Sequence, residues 1–123
     1  MQGFGDLEAA IMRRVWDQQE PVTVREVWSQ LRKRRDLAYT TVLTVMDKLH
    51  RKGWLERELV GRAHRYRPVI SREEYVAGVM RAALDDSDNR AQALLHFVGR
   101  MTLEEAAALR NALTSYERRI GGQ

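Results

Sequence analysis

The sequence predicts a mainly α-helical chain with one small β-hairpin: an N-terminal domain of three helices and the hairpin over residues 1–70, and a C-terminal helical region over residues 71–123. Three observations predict this. Apolar residues recur at i, i+3, i+4 and i+7 in several separate stretches, the spacing that covers one face of a helix. Thr23, Ser71 and Thr102 are each followed three positions later by glutamate, which is the capping-box signature of a helix start. The stretch from Trp54 to Val69 lacks helical spacing and holds a glycine turn between two short runs with β-forming residues.

Taken in order, the first helix is predicted from Asp6 to Gln18, with Asp6 as its cap and Leu7, Ile11, Met12, Val15 and Trp16 along its apolar stripe. The second starts after Thr23 and buries Val24, Val27, Trp28 and Leu31 before the run Arg32-Lys33-Arg34-Arg35. The third runs from about Ala38 towards Gly53. Val42, Val45, Met46 and Leu49 form its inner stripe, and Gly53 fits the position just past its end. Trp54–Leu59 and His64–Val69 form the hairpin, turning at Val60-Gly61-Arg62-Ala63. A fourth helix opens at Ser71 and breaks at Asp85-Asp86-Ser87-Asp88-Asn89, a fifth passes through Ala91–Val98, and a sixth follows Thr102. Trp16, Trp28 and Trp54 are expected to pack in the core rather than stack on bases.

Three short helices followed by a hairpin is the winged helix-turn-helix arrangement. Its third helix enters the DNA major groove. Such a helix needs one face fixed to the core and another offering small polar groups to base edges. The third helix here meets both demands. The candidate DNA-contacting residues are therefore Tyr39, Thr40 and Thr41 at its N-terminus, Leu43, Thr44, Lys48 and Arg51 along its outer face, and Arg62 at the hairpin tip. Leu43 suits a thymine methyl. Asp47 suits either a cytosine amino group or the orientation of Arg51 one turn on. The alternative for Thr40 or Thr41 is a plain helix cap, and the basic run Arg32–Arg35 reads as either DNA-backbone contact or solvated surface.

Charge agrees with a nucleic-acid partner. The 123 residues carry 21 Lys and Arg against 17 Asp and Glu, and the basic ones concentrate between residues 25 and 67. There is no cysteine, so disulfides and thiolate metal sites are excluded. No apolar run approaches the roughly 20 residues of a membrane span. The N-terminus does not read as a signal peptide, and the expected compartment is the cytoplasm. His50, His64 and His96 are isolated and no phosphate-binding glycine loop is present, so neither an enzyme nor a cofactor is expected. In the C-terminal region, Leu94, Leu95, Phe97, Val98, Leu109, Leu113 and Tyr116 supply more apolar surface than an isolated tail should expose; a homodimer is the simplest way to bury it, the alternatives being packing back onto the same chain or a ligand pocket.

The segments Leu37–Val42, Lys48–Arg57 and Gly61–Tyr66 resemble the penicillinase-repressor family, as do the opening residues Gly5–Met12 and Leu94–Val98. The resemblance covers almost the whole chain. It implies a homodimeric transcriptional repressor on a palindromic double-stranded operator, controlling β-lactamase or other antibiotic-response genes. It also implies release by a membrane sensor with a zinc-protease domain, which cleaves the repressor in its C-terminal region. The bond matching the family's cleavage point is His96–Phe97; staphylococcal-type members have Asn where His96 stands here. Leu43 stands where those members carry a basic or imidazole side chain. The alternatives are a ligand-sensing regulator of the multiple-antibiotic-resistance type and a winged-helix protein-interaction module that does not bind DNA.

Overall fold

The computed structural model describes residues 3–122. Its elements follow the order α1 (Asp6–Asp17), α2 (Val24–Leu31), α3 (Tyr39–Arg51), β1 (Leu55–Val60), β2 (Ala63–Pro68), α4 (Arg72–Asp85), α5 (Arg90–Val98) and α6 (Leu103–Gly121). The chain forms two compact units, the first ending at Ala82 and the second beginning at Ala83.

In the first unit, α1, α2, α3 and the hairpin enclose one core. Ile11, Met12, Val15, Val27, Val42, Met46, Leu49, Leu55 and Tyr66 are its most deeply buried side chains. The inner stripes of all three helices face it, with Leu7, Trp16, Trp28 and Val45 only partly covered. The two strands pair antiparallel from Leu55↔Pro68 to Val60↔Ala63, leaving Gly61 and Arg62 as the turn. Gly61 has φ of 65°, while no non-glycine residue has positive φ. A two-residue hairpin turn with glycine first matches the right-handed twist of the strands. Val22 extends the sheet: it exchanges backbone hydrogen bonds of 2.9 and 2.7 Å with Tyr66.

All three capping boxes form. At Thr23 the hydroxyl accepts from the Glu26 amide at 3.1 Å and the Glu26 carboxylate accepts from the Thr23 amide at 3.0 Å. Ser71 with Glu74 and Thr102 with Glu105 repeat the arrangement. The start of α1 differs from expectation. Gly5, not Asp6, is the N-cap, and its amide donates to Glu8. The end of α3 is closed by Gly53 at φ 87°. The Trp54 amide reaches the Leu49 carbonyl and the Gly53 amide reaches the His50 carbonyl, which satisfies two of the last turn's carbonyls.

The first unit extends beyond residue 70, where the sequence suggested a boundary. Tyr75 of α4 stacks on Phe4 at 4.4 Å, and its hydroxyl accepts from the Phe4 amide at 2.8 Å. Trp16 and Trp54 flank the pair, and the Trp16 indole donates to the Ile70 carbonyl. Arg72 also pairs with Asp17 of α1 at 2.5 Å. The first turns of α4 therefore pack as part of the winged-helix unit. Trp28 donates to the Leu37 carbonyl. All three tryptophans are thus partly buried against the core rather than free to stack on bases.

The second unit holds the last turn of α4, then α5 and α6. Asn89 caps α5 by accepting from the Gln92 amide, and Arg90 pairs with Asp85 at 3.5 Å. Neither α5 nor α6 has a buried residue.

Candidate nucleic-acid interface

The inner stripe of α3 is locked in the core: Val42, Met46 and Leu49 are fully covered. That leaves Thr40, Thr41, Leu43, Thr44, Lys48 and Arg51 on the exposed side, all of them anticipated from the sequence. Leu43 is 41% exposed, a single large apolar side chain among polar neighbours.

The helix begins without a side-chain cap. Ala38 is the N-cap residue, so neither threonine caps the helix, and Thr40 and Thr41 lie inside its first turn. The Thr41 and Val42 amides bond back to Ala38 at 3.1 and 3.4 Å. Those of Tyr39 and Thr40 stand at the open positive end of the helix, where an anion is favoured. Tyr39 itself is half-buried. Its ring meets the Trp28 ring edge-on at 5.8 Å, and the Arg25 guanidinium lies over it at 5.3 Å. The ring therefore fixes the start of α3 against α2.

Thr44 carries a constraint invisible in the sequence. Its hydroxyl donates to the Thr40 carbonyl at 2.8 Å. Its proton is spent on the helix, which leaves lone pairs and a methyl group as what this side chain offers outwards.

The outer face of α3 is tied to the hairpin. Asp47 pairs with Arg51 at 3.0 Å and accepts from Arg57 of β1 at 3.1 Å. The same Arg57 nitrogen donates to the Tyr66 hydroxyl at 3.2 Å. The Tyr66 hydrogen bond, and secondarily Asp47, raise the Arg57 pKa above its already high value, so this guanidinium stays charged throughout the working pH range. Arg57 is the residue that sequence reasoning missed. Strand alternation was the available signal: it shares a face with the buried Leu55, and an arginine there needs a partner.

The hairpin's cations are unequal. Arg67 pairs with Glu56 at 2.6 Å and Arg65 with Glu26 at 3.7 Å. The side chain of Arg62, at the turn, has no hydrogen bond or ion pair among the described residues, and neither has that of Lys48. In the basic run after α2, Arg32 lies over the Trp28 ring at 4.5 Å.

A second surface lies on the C-terminal unit. Leu94, Leu95, Phe97, Val98, Leu113 and Tyr116 are all exposed, while Leu109 is half-covered. His96 and Phe97 sit in the last turn of α5, so the bond between them has helical backbone. His50 is engaged with the Leu55 carbonyl at 3.0 Å. No group of three or more His, Cys, Asp and Glu that could hold a metal occurs among the described residues. None of their helices is long and apolar enough to cross a membrane.

The comparisons with known proteins agree with this geometry. Residues 4–115 match the family model described as penicillinase repressor. The chain is 50% identical over 117 residues to a transcriptional regulator BlaI of Mycobacterium tuberculosis, covering 93% of this chain and 85% of that protein. Among solved structures, the DNA-binding domain of the repressor BlaI superposes with a TM-score of 0.53 at 27% identity, over 61% of this chain and 94% of that one. The monomeric form of Bacillus licheniformis BlaI, in complex with the blaP half-operator, gives 0.51 at 27% identity, over 60% and 89%. The chain belongs to the penicillinase repressor family of transcriptional regulators.

Proposed function

We propose that the protein is a DNA-binding transcriptional repressor that acts in the cytoplasm as a homodimer on a palindromic operator. The observation that carries this reading is the division of α3: one face is sealed into the core and the other is an exposed polar strip with a free lysine and an open helix start. In a winged helix that strip lies in the major groove, and the hairpin tip with Arg62 lies along the neighbouring backbone. Thr40, Thr44, Leu43 and Arg51 then face base edges, while Lys48, Arg62 and the amides of Tyr39 and Thr40 hold phosphates. The operator-bound relative of Bacillus licheniformis supports the assignment. The exposed apolar side chains of α5 and α6 supply the surface for a second copy. Two-fold symmetry of the protein then requires two half-sites.

The family's description, penicillinase repressor, supports β-lactamase or other antibiotic-response genes as the regulated ones, and the family resemblance of the sequence implies relief by a membrane sensor protease. A protease takes its substrate extended. Cleavage between His96 and Phe97 therefore requires the last turn of α5 to open first.

Selection from a random-sequence duplex pool tests the reading. The wild-type protein should enrich a palindrome whose half-sites are centred about one helical turn, or a whole number of turns, apart. A protein that enriches no sequence at physiological salt is not a sequence-specific repressor.

Two substitutions sort the residues of this face. Arg62→Ala should weaken binding to every duplex and flatten the log–log salt dependence by about 0.9 for each phosphate that Arg62 neutralises. An unchanged slope places the hairpin tip away from the backbone. Thr44→Ala should lower affinity for the selected duplex by about 5-fold or more while leaving a scrambled duplex unaffected, since only base contacts discriminate. An equal drop on both would make Thr44 a backbone contact.

A further inference from the structure

We infer that Asp47 is a positioning residue that aims Arg51 at the operator. The inference rests on α3 being the operator reader and concerns how that face works.

A carboxylate on a DNA-facing helix is a liability, because it repels phosphate. Its retention on such a face needs a physical account, and the structure supplies one. Both oxygens of Asp47 are engaged: Oδ2 lies 3.0 Å from Arg51 Nε and Oδ1 lies 3.1 Å from Arg57 Nη1. One carboxylate between two guanidiniums leaves the cluster with a net positive charge, so its anion is masked. A cytosine amino group would have to share an oxygen with one of the two guanidiniums.

The cluster has an inner and an outer end. Arg57 is the inner cation, with a side chain 27% exposed, and it is fixed by the hydroxyl of Tyr66, a core residue that is 1% exposed. Arg51 is the outer cation, 68% exposed. Order therefore runs outwards from the core: Tyr66 holds Arg57, Arg57 holds Asp47, and Asp47 holds Arg51. A surface arginine without such a partner samples many rotamers and loses that freedom on binding. One held in advance loses less. Arginine reads guanine O6 and N7 as a fork, which demands aim as well as charge.

Direct base reading and positioning both predict a loss of specificity in Asp47→Ala, and the Arg51→Ala background separates them. The probes are the duplex enriched by the wild-type protein from the random pool and a scrambled duplex of the same composition. Asp47→Ala should lower the affinity ratio between them by roughly 10-fold, within the range of one misdirected bidentate contact. Scrambled-duplex affinity should hold or rise, because an anion has been removed. In an Arg51→Ala background the same substitution should change the ratio by less than about 2-fold, since residues acting as one unit are non-additive. In the free protein, the ¹⁵N relaxation of Arg51 Nε should report a more mobile side chain in Asp47→Ala, in a spectrum that otherwise shows a folded protein.

An undiminished ratio overturns the inference. So does an equal drop without Arg51, which would make Asp47 a base reader itself. An Arg51 side chain as rigid in the variant as in the wild type overturns it as well. If the wild-type protein enriches no sequence, the repressor reading fails by itself, and the relaxation measurement still decides whether Asp47 holds Arg51.

Discussion

Leu113→Asp should turn the proposed dimer into a monomer and weaken operator binding by about two orders of magnitude or more. The size of the effect follows from linkage of two half-sites. The second half of a dimer binds at the effective concentration set by the first, which raises overall affinity by roughly 10²–10⁴. A monomer forfeits that gain. An aspartate at a dimer contact would be buried without a partner, which costs several kcal/mol. Leu113 is the better target than Leu109 because it is 51% exposed in the single chain, so the substitution leaves the chain's own packing intact. Leu109 is half-covered, and its replacement would mix folding with association. Light scattering gives the oligomeric state and an electrophoretic titration gives the affinity. A variant that remains dimeric places the interface elsewhere.

Tyr66→Ala should lower the melting temperature of the first unit by roughly 15–30 °C. Truncating a buried aromatic costs about 3–5 kcal/mol, and each kcal/mol moves the midpoint of a domain this size by about 4–8 °C. Tyr66 is 1% exposed and its ring belongs to the core. The truncation also removes the hydroxyl to which Arg57 donates at 3.2 Å, leaving a half-covered cation with one acceptor fewer. Typical domain stability is only about 5–15 kcal/mol, so the variant would approach the folding threshold. Tyr66→Phe isolates the hydroxyl and should cost about 1 kcal/mol. A shift below about 5 °C for Tyr66→Ala would contradict the core position of the ring.

Local rules made most of the fold legible. Each capping box is a relation between residues three apart, and each forms. Gly53 was readable because a helix end in the left-handed region selects glycine. The inner stripe of α3 was readable because helical periodicity separates Val42, Met46 and Leu49 from Thr40, Thr44 and Lys48 without knowledge of the partners. The unread parts depend on contacts between distant segments. Phe4 and Tyr75 stack across 71 positions, and neither residue alone marks the end of a unit. The partnership of Asp47 with Arg57 depends on hairpin register, which sets which strand residues face α3. The pairing of Asp47 with Arg51 was foreseeable from their one-turn spacing, whereas the anchor behind it was not. The Thr44 proton was also hidden, because whether a helical threonine turns back on its own backbone is decided by its rotamer.

The tryptophan placement makes the chain its own two-channel instrument. All three, Trp16, Trp28 and Trp54, belong to the first unit, and the second unit has none. Intrinsic indole emission therefore follows the melting of the winged helix alone, whereas far-ultraviolet circular dichroism registers every helix. Coincident curves would mean that both units unfold together. Separated curves would resolve their stabilities in one unlabelled sample, and dilution would show which of the two depends on protein concentration.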